Sequence, residues 1–136
     1  MWPYALSYLV ALITFVAVDM VWLGTMASRF YKPIMGDIVA SSVNFPAAIA
    51  FYAIYPVGIA IFAINPALKS GAMTTAVTYG ALFGFFAYAT YNLTNHAIMR
   101  NWSVPLTLVD IAWGTVGTAV ASAAGYWIVG RLAGNA

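Results

Sequence analysis

The sequence predicts an all-α, polytopic membrane protein: a four-transmembrane-helix bundle forming one domain over residues 1–136. Composition is the first reason. Apolar residues make up 64% of the chain and charged residues 6%, against about 45–50% and about 25% in ordinary soluble domains. So few charges cannot cover a soluble domain, and lipid is the solvent that such a surface suits. Run length is the second reason. Four apolar stretches, near residues 3–27, 45–64, 72–99 and 104–129, match the ~20 residues a helix needs to cross ~30 Å of hydrocarbon. None alternates polar with apolar residues, as the ~10-residue strands of a membrane barrel would.

The first span opens with MWPYALSYLV and ends before Arg29. It lacks a basic leading region, and its apolar run exceeds that of a signal peptide, so it is expected to be retained. The link that follows, RFYKPIMGDIVASSVN, mixes Phe30, Tyr31, Ile34, Met35, Ile38 and Val39 with Arg29, Lys32 and Asp37. Such a mixture suits either a short interfacial helix starting at Pro33 or an irregular loop with interfacial aromatics. Asn44 and Pro46 are start signals for the second span, and Asn65-Pro66 is read as its end. Within it Pro56 lacks a backbone donor, which frees the Tyr52 carbonyl. In lipid that carbonyl needs a partner from a neighbouring helix or a water.

Lipid supplies no hydrophobic drive between helices, so small residues that let backbones approach mark the contacts. The third span carries Ala76, Gly80 and Gly84 at four-residue spacing; the fourth carries Gly114, Gly117, Ala121 and Ala124 along one side. Gly80, Gly84, Gly114 and Gly117 are therefore the expected packing positions. At about 100° per residue Asp110 shares the small-residue face of its span. The same arithmetic groups Tyr91 and Asn95 with Gly84, and turns Asn92 and His96 toward another helix or a second copy of the protein.

Two of the three acids lie inside spans: Asp19 in AVDMVWLG and Asp110 in LVDIAWGT. A charged aspartate at a helix centre costs about 2.5–3.5 kcal/mol on the insertion scale, so each requires a reason. Counted from the span ends, Asp19, Asn92, His96 and Asp110 all fall roughly 6–15 Å below the face of the first and third links. Trp22 and Trp113, one turn beyond the two acids, add indole donors. The candidate ligand- or proton-binding set is thus Asp19, Asp110, Asn92, Asn95, His96, Trp22 and Trp113. The alternative is that these groups glue helices together at about 0.6–2 kcal/mol per bond.

Several classes are excluded. The chain has no cysteine, one histidine and, among its acids, no glutamate. Disulfides, thiol catalysis and a protein-only zinc or di-iron site are ruled out or strongly disfavoured. No lysine lies within a span to hold retinal, His96 alone is a poor haem ligand, and no cofactor or metal is expected. There is no Gly-rich phosphate loop, GxSxG or HExxH, so no catalytic residue is assigned and the reading leans away from an enzyme. The +2 net charge comes from five basic residues near span ends, a topology signal with no nucleic-acid footprint. Arg29, Lys32 and Arg100 against Lys69 and Arg131 lean toward cytoplasmic first and third links. VDMVWLGT and VDIAWGT look alike but lie in spans that run in opposite directions; separately, Pro46/Gly58 match Pro105/Gly117 in spacing, which fits a duplicated hairpin.

VDMVWLG, RFY, YATYNLTN and VDIAWGT, in that order, resemble a family of small bacterial four-span membrane proteins that carries a domain-of-unknown-function label. The likeness covers nearly the whole chain. It implies a multi-pass protein of the bacterial cytoplasmic membrane, with Asp19, Trp22, Asn95, Asp110, Trp113 and Gly114 at motif positions. In the family's pattern the position of Asn92 is usually aspartate, within YDLTN, and His96 is atypical. A chemistry needing three acids would here lack one. The resemblance implies no activity. From the residues, the expected role is binding or transport of a small polar or amphipathic solute, a lipid headgroup or protons. A chain this short encloses little volume, so a homodimer is expected to do it. The alternatives are an accessory subunit of a larger membrane complex and, last, a lipid-modifying enzyme.

Overall fold

The computed structural model describes residues 2–38 and 42–134, and every described helix or turn belongs to an all-helical fold. Helix α1 spans Trp2–Met26, α2 Lys32–Met35, α3 Phe45–Ile59, α4 Asn65–Ser70, α5 Met73–Ile98 and α6 Val104–Leu132. The stretches Tyr4–Ile38, Phe45–Ser70 and Val104–Leu132 are long and apolar enough to cross a membrane. The fourth long helix, α5, has 26 residues, but its threonines, asparagines and histidine dilute its apolar density. Val39, counted above with the interfacial residues, lies outside the described residues.

Two of the helix starts follow from local chemistry. The Asn44 side chain accepts from the Ala47 N–H at 3.3 Å, and Pro46 occupies the first turn of α3. Ser103 does the same for α6, accepting from the Leu106 N–H at 3.3 Å, with Pro105 in the first turn. Each cap satisfies a donor that the helix cannot satisfy itself. Between α4 and α5, Gly71 takes the left-handed conformation, with φ at 69°, which a residue without Cβ adopts at no steric cost.

Asn65-Pro66, read above as the end of the second span, does not interrupt the helical run. The chain continues through a π-helical turn, Ala60–Ile64, directly into α4. The same device joins α1 to α2 through Ala27–Tyr31, just ahead of Pro33. A proline ring clashes with the carbonyl four residues back and offers no N–H to it. A widened turn relieves both problems and lets the helix proceed. The first link is accordingly a helical continuation of α1, with α2 passing into a 3₁₀ turn at Gly36–Ile38. Buried Asn65 accepts a hydrogen bond at 3.1 Å from the buried Ser7 hydroxyl, tying this second turn to α1.

Pro56 is buried inside α3. A hydroxyl from a neighbouring helix reaches the backbone near it: Tyr8 of α1 donates to the Ala53 carbonyl at 2.9 Å.

Helices α5 and α6 pack most intimately. The buried residues of α5 include Ala76, Gly80, Gly84 and Asn92, with Tyr88 between them partly buried. This four-residue row, inclined to the helix axis, is the ridge along which crossed helices meet. It corrects the axial arithmetic. Asn92, not Tyr91 or Asn95, lies on the α6 side; Tyr91 is 55% exposed and Asn95 half-buried. On α6 the row contains Asp110, Gly114, Gly117, Thr118, Ala121 and Gly125. Gly125, rather than Ala124, therefore takes the close contact, against Ile64. Phe15, Ile59, Ile64 and Val129 fill the rest of the core between α1, the π turn of the second span and α6.

Candidate functional site: an aromatic cavity with two carboxylates

Asp19 and Asp110 line the same cavity, of about 530 Å³, together with Trp22, Tyr31, Tyr52, Tyr88, Trp102 and Trp113 among others. Residues of α1, α3, α5 and α6 and of both links on one face contribute to its walls. Those links meet directly: the Asn101 amide donates to the Asp37 carboxylate at 2.6 Å. The cavity therefore lies beneath the face on which the first and third links join.

Each carboxylate is held by two neutral donors from different parts of the chain. Asp19, 5% exposed, accepts from the Tyr52 hydroxyl at 2.5 Å and from the Trp113 indole N–H at 3.0 Å. Asp110, 9% exposed, accepts from the Tyr31 hydroxyl and the Asn92 amide, both at 2.6 Å. The Trp22 indole N–H donates at 2.9 Å to the same Tyr31 hydroxyl, so a relay runs from Trp22 through Tyr31 to Asp110. The two acids thus cross-link all four long helices and the turn after α1. Trp22 and Trp113 stack face to face, 4.6 Å apart with planes 1° from parallel.

Local structure explains these placements. Tyr31 ends the π turn that precedes Pro33, and this widened turn brings its hydroxyl back to α6. Tyr88 lies over Gly114; a Cβ at Gly114 would be 2.0 Å from its ring. The missing side chain is what admits the phenol. Trp113 reaches across to Asp19 rather than to the acid one turn back on its own helix, because α1 and α6 are packed neighbours. Asn92 is fully buried and also donates to the Tyr88 carbonyl at 2.9 Å, while its side-chain oxygen has no partner.

His96 and Asn95 stand apart from the two acids. Neither lines the cavity. The His96 ring nitrogen Nδ1 pairs with the Thr107 hydroxyl at 3.0 Å, a contact between α5 and α6. One histidine–hydroxyl bond of this kind is worth about 1 kcal/mol. His96→Ala is accordingly expected to lower the unfolding free energy by about that much while leaving the helical circular dichroism of the folded protein unchanged.

The family model described as "Predicted membrane protein (DUF2177)" matches residues 4–127. The chain belongs to this family. No curated protein and no solved structure shows significant similarity to it. In this DUF2177 member, the cavity residues that sequence reasoning passed over include Tyr31, Tyr52, Tyr88 and Trp102. Signals for them existed. Tyr31 belongs to the RFY string that carried part of the resemblance. Tyr52 stands in FYAIY, an aromatic-rich turn of α3. Tyr88 falls midway between Gly84 and Asn92 on the four-residue row. Trp102 lies in the third link, 7% exposed and packed edge-on against Tyr91 at 5.7 Å.

Proposed function

We propose that this protein binds a small polar or amphipathic solute within the membrane, in the cavity between Asp19 and Asp110. The observation that carries the reading is that cavity, about 530 Å³ in volume and lined by both intramembrane acids. Gluing helices together requires side chains in contact, and it does not require a cavity of ligand size. Nine tyrosine, tryptophan and phenylalanine side chains line the space with the two carboxylates. A few polar groups set in apolar, aromatic walls are the usual composition of a small-molecule site. Transport across the bilayer is the extended form of this reading, with a homodimer in the bacterial cytoplasmic membrane as its setting.

Ala87 lines the cavity from α5. Ala87→Phe is expected to fill part of the space and to abolish co-purification of a bound small molecule or lipid, as read by native mass spectrometry from mild detergent. Undiminished ligand in that variant would refute the site.

A further inference from the structure

We infer that the occupant of this cavity carries an organic ammonium group, placed between Asp19 and Asp110; the inference rests on reading the cavity as a binding site. Charge comes first. Among the described residues no lysine, arginine or histidine lines the cavity. The four groups that donate to the two carboxylates, from Tyr52, Trp113, Tyr31 and Asn92, are all neutral. Charge-balanced ionisation of the acids therefore needs a cation from outside the chain, and a low-dielectric interior makes that need strong.

The walls decide which cation. Among the described residues no third acid, histidine or cysteine joins the two aspartates, whereas a bare divalent metal ion takes about six oxygen ligands. Aromatic rings instead attract ammonium groups through their negative faces, and cages of them recognise quaternary ammonium. Trp22, Tyr52, Tyr55, Tyr88 and Trp113 all line this space.

A buried donor without a partner completes the pattern. Trp102 is 7% exposed and lines the same cavity, and among the described residues its indole N–H finds no hydrogen-bond partner. A bound molecule with an oxygen acceptor near its ammonium would satisfy it, as a hydroxyl or phosphate oxygen of an amino alcohol does. That chemistry occurs both in free amino alcohols and in phospholipid headgroups. Trp22 and Trp113 also border a smaller recess of about 330 Å³ with Val18, Val21 and Thr25. Val21 is 72% exposed there, so the indole pair adjoins the exposed outer side of α1.

The test compares matched probes on the full chain in non-ionic detergent, using tryptophan emission, since three of its five tryptophans line the cavity. Choline is set against 3,3-dimethylbutan-1-ol, its uncharged isostere. Dihexanoyl phosphatidylcholine is set against dihexanoyl phosphatidylglycerol. The expected result is saturable binding at least about tenfold tighter for an ammonium probe than for its counterpart. That preference should disappear when Asp19→Asn and Asp110→Asn are combined. Preference in the choline pair indicates a free amine, and preference in the phospholipid pair alone indicates a headgroup. Equal or tighter binding of the uncharged or anionic probes overturns the ammonium assignment. If Ala87→Phe abolishes that binding too, the cavity remains a binding site and only the cation falls. No saturable response to any probe overturns both. The wild-type comparison decides the matter even if the doubly substituted chain fails to fold.

Discussion

Gly84→Leu is expected to prevent α5 and α6 from closing, leaving a chain that aggregates or is degraded instead of accumulating in the membrane. A Cβ at Gly84 would stand 2.1 Å from the Gly114 carbonyl oxygen and 2.8 Å from the Thr118 side chain. The first of these is backbone, which cannot yield unless α6 itself moves. Even Gly84→Ala should cost about 3 kcal/mol, the upper end of what overpacking ordinarily costs. Such displacement also reaches the site, because Gly114 makes room for Tyr88 and Asp110 lies one turn before it. Gly24→Ala is the matched comparison. Among the described residues nothing lies within 4 Å of a Cβ there, and alanine is the better helix former by about 1 kcal/mol. Unfolding titrations in mixed micelles should therefore rank Gly24→Ala at or above wild type and Gly84→Ala far below it. Equal stability of the two variants would contradict the close approach of α5 and α6.

Asp19→Asn and Asp110→Asn, made singly, are expected to keep the fold and lose ligand. The hydrogen-bond partners explain why the fold survives. At position 19 an asparagine oxygen still accepts from the Trp113 N–H, and the Tyr52 hydroxyl can rotate to accept from the new amide. At position 110 the oxygen still serves Tyr31. The new amide faces Asn92, whose unpartnered side-chain oxygen becomes its acceptor if that amide turns over. The turn sacrifices the bond from Asn92 to the Tyr88 carbonyl and leaves the buried Asn92 NH2 unsatisfied, so Asp110→Asn should lose about 1–3 kcal/mol of stability and Asp19→Asn no more than about 1 kcal/mol. Binding is different. A hydrogen bond to a charged group is worth about 1.5–3 kcal/mol, which corresponds to roughly 10- to 100-fold in affinity. Calorimetric titration of solute into each variant, beside its thermal unfolding, separates the two effects. Unaltered affinity with reduced stability would mean that the acids serve packing alone.

The helices were legible because their signals are local. Asn44 with Pro46 marks a helix start by capping chemistry that one turn of chain contains. The apolar runs report the solvent directly. Gly80 and Gly84 meet the α6 backbone as close approach in lipid requires, whereas Gly114 makes room for Tyr88 and Gly117 lies under the Trp113 indole of its own helix. What defeated local reasoning was geometry that depends on how helices cross. Projection onto a straight cylinder grouped Tyr91 and Asn95 with Gly84, whereas inclined packing selects Tyr88 and Asn92. Asn65-Pro66 looked like an end because a proline usually breaks an α-helix, yet a π turn absorbs it.

Composition and short-range pattern determined that this chain is a helical membrane protein, and that Asp19 and Asp110 stand within long apolar runs. Partner choice was decided only by the tertiary structure. Tyr52 meets Asp19 from 33 residues away and Tyr31 meets Asp110 from 79, separations at which no periodicity operates. The space between the acids is likewise a property of the assembled helices, set by how closely their glycines let the backbones approach.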